Sequence, residues 1–232
     1  MRETFEDLPH ADRTPRLRIF TGLLSLLAAL TLGITLGAQI VDLVRLERFS
    51  ALEFMSYFSI QFAFISLVGL LLTGLTGFSG RRDTPKVASV RGFLALNALA
   101  VIITHTTLFS QTPANASGNM TALTWPDLVF HLIIPGYLVV DWIFNPLRAR
   151  IPRWVPFVSL LYPLGWIVGA YAVGQVTGWY VNPRLDPANA VSPALTAVYL
   201  GVIAVTLGMM ALAVLMVNRI HYRLVPANLF DS

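Results

Sequence analysis

Apolar residues run along this chain in long blocks that contain no Asp, Glu, Lys or Arg: 19–41, 54–80, 92–126, 154–183 and 187–218. An α-helix rises ~1.5 Å per residue, so roughly 20 residues cross the ~30 Å of bilayer hydrocarbon. Every block reaches that length. The pattern predicts six spans at about 18–41, 54–78, 90–110, 125–145, 154–178 and 192–218, between an N-terminal segment 1–17 and a C-terminal tail 219–232. The fourth span is the least obvious, because only residues 128–140 separate Asp127 from Asp141. Its start is nevertheless marked by Thr124-Trp125-Pro126-Asp127, which supplies an N-cap hydroxyl, a first-turn proline and an acid beside the exposed N–H groups. The expected fold is all-α: a polytopic membrane protein built as a six-transmembrane-helix bundle.

Composition agrees with this pattern. Hydrophobic residues make up 56% of the 232 and charged residues only 12%, whereas a soluble domain carries about 25% charged residues. Too little polar surface exists to cover a water-soluble globule. Cysteine is absent, which excludes disulfides, thiolate metal sites and cysteine nucleophiles. A formal charge of +4 would suggest nucleic acid in a soluble protein. Here the excess sits in loops, so no nucleic-acid partner is expected, and membrane lipids are the expected surroundings.

The loops also carry a direction. Arg2, Arg13, Arg16 and Arg18 precede the first span, and Arg81, Arg82, Lys86 and Arg91 lie between the second and third. Arg148, Arg150 and Arg153 separate the fourth and fifth, and Arg219 and Arg223 follow the sixth. Only Arg45, Arg48 and Arg184 fall on the opposite side. Basic loops stay cytoplasmic, so both termini are expected inside, with a bacterial cytoplasmic membrane as the expected location. Trp125, Trp179 and Tyr180 then fall at the outer interface, and Trp142 and Trp154 at the inner one.

Ionisable and polar groups are costly in hydrocarbon, so those retained are candidates for function. With the spans oriented in this way, Ser59 and His105 lie ~7 Å and His131 ~9–10 Å below the outer ends of the second, third and fourth spans. Asp127 precedes His131 by four residues and shares its helix face. A carboxylate there orients the imidazole, which then serves a neighbouring hydroxyl as general base. Pro135 leaves the His131 carbonyl without its usual donor. Bland readings stand beside these. Ser56, Ser59, Ala63, Ser66 and Thr73 form a small-residue stripe of the kind that packs helices. Asp127 answers a helix dipole, Asp141 pairs with a loop arginine, and Asn97 and Gln61 hydrogen-bond between helices.

Several of these residues sit in short motifs with a family resemblance. Met55-Ser56-Tyr57-Phe58-Ser59-Ile60-Gln61 resembles the helix-2 signature of a bacterial six-helix membrane family, commonly Tyr-Phe-Thr-Ile-Gln-Ser-Asn. Asp127 to Pro135 with Asp141-Trp142 resembles its helix-4 block, and Tyr162-Pro163-Leu164, Gly178-Trp179-Tyr180 and Leu185-Asp186 resemble later segments. That family is similar to the animal androgen-induced membrane proteins, which hydrolyse fatty acid esters of hydroxy fatty acids with an intramembrane Thr and a His. The resemblance implies Ser59 in the nucleophile's place and His131 in the place of the catalytic His. His105 matches a helix-3 His frequent in the bacterial members. Phe62-Ala63 replaces the usual Ser-Asn, and Val181-Asn182-Pro183-Arg184 replaces the usual aromatic and proline positions.

The leading expectation is a lipid or fatty-acid ester hydrolase with Ser59 as nucleophile, His131 as base and Asp127 as its orienting acid. His105, Asn97 or Gln61 would polarise the oxyanion. This reading calls for no cofactor and no metal. Two alternatives remain: a b-type haem held by His105 and His131, and a non-catalytic interaction or assembly protein.

Overall fold

The computed structural model describes residues 14–79, 83–106, 124–145, 148–181, 186–189 and 193–224. Most of the N-terminal segment 1–17, the loop 111–123, residues 225–232 and three of the loop arginines (Arg81, Arg82 and Arg184) lie outside that set. The described chain is about 85% helical, with no strand among the described residues. Among the described residues, six helical runs are long and apolar enough to cross a membrane: Arg16–Arg45, Phe58–Gly77, Pro85–Thr104, Trp125–Phe144, Val155–Thr177 and Gly201–Ile220. The protein is an integral membrane helical bundle.

The described residues form nine α-helices: α1 (Thr14–Arg45), α2 (Ala51–Ser56), α3 (Phe58–Gly77), α4 (Pro85–Thr104), α5 (Trp125–Leu128), α6 (Ile134–Phe144), α7 (Val155–Ser159), α8 (Leu161–Thr177) and α9 (Pro193–Leu224). Large apolar side chains such as Leu30, Val68, Leu75, Val176 and Val205 stand open on the outside. In water such a surface would aggregate; around a membrane bundle it is the lipid face.

Inside, α1 packs mainly on α3 and α4 mainly on α6, with α3 and α4 adjoining. The largest core cluster runs through Leu32, Leu36, Phe62, Ala63, Leu70, Leu94, Ala98, Val101, Val129, Phe130 and Ile134. At the α1–α3 crossing, the backbones nearly touch. A Cβ built on Gly77 meets Gly22 Cα at 2.8 Å and the Arg18 carbonyl at 3.0 Å. Small residues permit that approach, and dispersion between close backbones is what associates helices in lipid. The Ser25 and Tyr137 hydroxyls add a 2.9 Å hydrogen bond between α1 and α6.

Four sequence expectations need correction. The second span is not one helix: Tyr57 is extended (φ −74°, ψ 128°) and separates α2 from α3. Two side chains satisfy the carbonyls freed by this break, Gln61 Nε2 donating to Met55 O (2.7 Å) and Trp166 Nε1 to Ser56 O (2.9 Å). Such a break survives in an apolar medium only when its backbone groups find partners.

The third span begins earlier than hydropathy implies. Thr84 caps it by accepting from Val87 N at 3.3 Å, and Pro85 opens it. Arg91 is therefore a helix residue, not a loop residue. It lies buried between Asp83 (Nε to Oδ2, 2.8 Å) and Asp141 (Nη1 to Oδ2, 2.6 Å). Asn145 Nδ2 completes the group by donating to Asp141 Oδ1 at 3.1 Å.

Trp142 does not belong to an interfacial belt. It is 2% exposed, lies under the Arg148 guanidinium at 4.1 Å, and donates to the Val214 carbonyl of α9 at 3.3 Å. Thr124, finally, makes no side-chain cap bond, although α5 does start at Trp125 with Pro126 in its first turn.

Candidate functional site

The fourth span changes pitch where it carries the histidine. Between α5 and α6, residues Val129–Ile133 form a π turn, closed by Ile134 N–H donating to Val129 O. A π turn holds one more residue than an α turn and is frequently found at functional sites. Pro135 follows immediately, and its missing N–H is accommodated where the turn is already widened. His105 lies just past α4, its backbone N–H donating to the Val101 and Ile102 carbonyls.

These local features bring three titratable side chains together. His131 Nδ1 lies 2.9 Å from Asp127 Oδ1 and 3.0 Å from the Asp127 carbonyl. His105 Nε2 lies 3.8 Å from Asp127 Oδ2. The two imidazoles stack, with centroids 4.4 Å apart and planes at 13°. Each of the three residues offers a donor atom within 4.8 Å of the others. The histidines are half-buried and Asp127 is about half exposed.

The other candidates fall elsewhere. Ser59 is half-buried in the first turn of α3, just past the break at Tyr57. The helix that carries it packs against the His131 turn. Among the described residues, Ser59 makes no hydrogen bond to His131, Asp127 or His105. Asn97 is fully buried and donates its amide to Phe93 O at 2.9 Å; its Oδ1 is without a partner. It sits eight residues before His105, ~12 Å along the helix at the usual rise, too far to polarise an ester held by the histidines. Gln61 binds its amide nitrogen to the α2–α3 break.

The pairing of Asp127 with His131 was legible from their spacing. The inclusion of His105 as a third donor was not, because equal depth in two helices does not say that their faces meet. Comparison with protein-family models, curated proteins and solved structures gave no match to this chain.

Proposed function

We propose that the protein is a membrane-embedded hydrolase of lipid esters in which His131 is the general base and Asp127 orients it. The observation that supports this is the 2.9 Å contact between Asp127 Oδ1 and His131 Nδ1. With Nδ1–H donated to the carboxylate, Nε2 holds the lone pair, which is the tautomer that base catalysis requires. The Ser59 hydroxyl is the nucleophile. Its proton passes to His131 Nε2 as its oxygen adds to the ester carbonyl, and His131 returns that proton to the departing alkoxide. Water then releases the acyl group by the same base.

The Ser59 hydroxyl has to approach His131 for this step. The broken backbone at Tyr57, immediately before α3, is the joint at which it does so. The resemblance of the Ser59 and His131 segments to the bacterial six-helix family supports the same assignment. The basic loops support placing the histidine end of the bundle outside, where water meets a substrate whose chains remain in lipid.

A b-type haem is not favoured. Bis-histidine ligation puts the porphyrin between two rings, and rings stacked at 4.4 Å leave no room for it.

The test uses purified full-length protein in detergent with a long-chain p-nitrophenyl ester and a fatty acid ester of a hydroxy fatty acid. Labelling by a fluorophosphonate is expected to be lost in Ser59→Ala. Turnover is expected to fall by roughly 10²–10⁴-fold in His131→Ala. Labelling and turnover that survive both substitutions would remove the hydrolase reading and leave an assembly role.

A further inference from the structure

Beyond the hydrolase reading, and independently of it, we propose that His105, Asp127 and His131 bind a divalent transition-metal ion of the zinc class. Two imidazoles and one carboxylate form the donor set that three-ligand zinc sites use, leaving a position open to water. The separations suit it: one donor atom from each residue lies within 4.8 Å of the others. Rotation of the two half-buried rings out of their stack brings such atoms onto a common ion at the usual ~2.0–2.2 Å.

A second observation points the same way. His131 stands within the π turn Val129–Ile133, and His105, just past the end of α4, brings its ring to the same acid. Such turns account for well under 1% of residues in proteins. The turn beneath His131 is fixed by buried Val129, Phe130 and Ile134, so the donors stand on a packed platform while the acid stays accessible for ion entry. The donor chemistry also selects the ion. One carboxylate with two nitrogens is poor for calcium or magnesium, which take oxygen ligands, and suits zinc, cobalt or nickel.

The ion and the His131–Asp127 hydrogen bond are alternative occupants of one notch. An ion between Asp127 Oδ1 and His131 Nδ1 replaces the proton that the two share. The metal-bound form is then distinct from the form in which His131 acts as base.

The experiment is a cobalt titration of full-length, tag-free protein in detergent after chelator treatment, followed by zinc displacement. One equivalent of Co²⁺ should give visible d–d absorption that zinc abolishes. His105→Ala and Asp127→Asn should each weaken binding by at least about tenfold, with unchanged circular dichroism, while Ser59→Ala binds normally. His105 lies at a helix end, so His105→Ala decides the matter even where His131→Ala disturbs the core. Absent cobalt absorption in folded protein, or equal affinity in the His105 and Asp127 variants, would overturn the proposal. Ester turnover plays no part in this readout, so failure here leaves the hydrolase reading intact, and the converse holds.

Discussion

Arg91 Nη1 meets Asp141 Oδ2 at 2.6 Å across the α4–α6 interface, and the same guanidinium holds Asp83 at 2.8 Å through Nε. One cation with two acids, all nearly closed to solvent, fixes the register of two spans at the end opposite the histidines. Removing one partner of a buried group leaves uncompensated charge. Arg91→Ala is therefore expected to cost about 3–5 kcal/mol, read as a lowered midpoint in SDS or thermal unfolding. A loss within error of zero would mean that the acids find another cation.

The α1–α3 crossing makes a sharper steric prediction. A methyl group at residue 77 would press on backbone atoms of Gly22 and Arg18 at 2.8–3.0 Å, and backbone cannot turn aside as a side chain does. Gly77→Ala should destabilise the bundle by about 1–3 kcal/mol. Gly37→Ala, whose added Cβ meets nothing within 4 Å, should be neutral or stabilising by up to about 1 kcal/mol. Unfolding of the two variants side by side checks the contrast; equal behaviour would show that α1 slides to make room.

At the break before α3, Trp166→Phe keeps an aromatic ring but strips the donor from the Ser56 carbonyl. The expected cost is about 1–3 kcal/mol. Amide exchange around Tyr57 should quicken while the buried α4 residues stay protected. Uniform exchange across both regions would detach Trp166 from the break.

Stacked histidines predict a spectrum as well. Protein purified from haem-replete cells and reduced with dithionite should show no Soret band, because the rings leave no slot for a macrocycle. A stoichiometric Soret band would require the two rings to part.

The six spans were legible because bilayer thickness imposes a minimum length that charge-free blocks reveal directly. Asp127 and His131 were legible for a similar reason, since four residues return a helix to the same face. What hid Arg91 was the assumption that charge ends a span. Two acids from other parts of the fold, Asp83 and Asp141, neutralise it inside the bundle, and no local pattern announces them. The Tyr57 break was equally hidden, since Gln61 and Trp166 satisfy it from positions 6 and 110 residues away from their acceptors. The sequence likewise grouped Ser59 with His131 by depth alone, and no hydrogen bond joins the two among the described residues.

The widened turn at Val129–Ile133 is contained within its own neighbourhood. Each residue added to or taken from a helix rotates everything after it by about 100°. A π turn takes up one such residue within a single turn, so the helix beyond it keeps its phase and Asp141 still meets Arg91. The irregularity at one mouth of the bundle thus leaves the clasp at the other undisturbed.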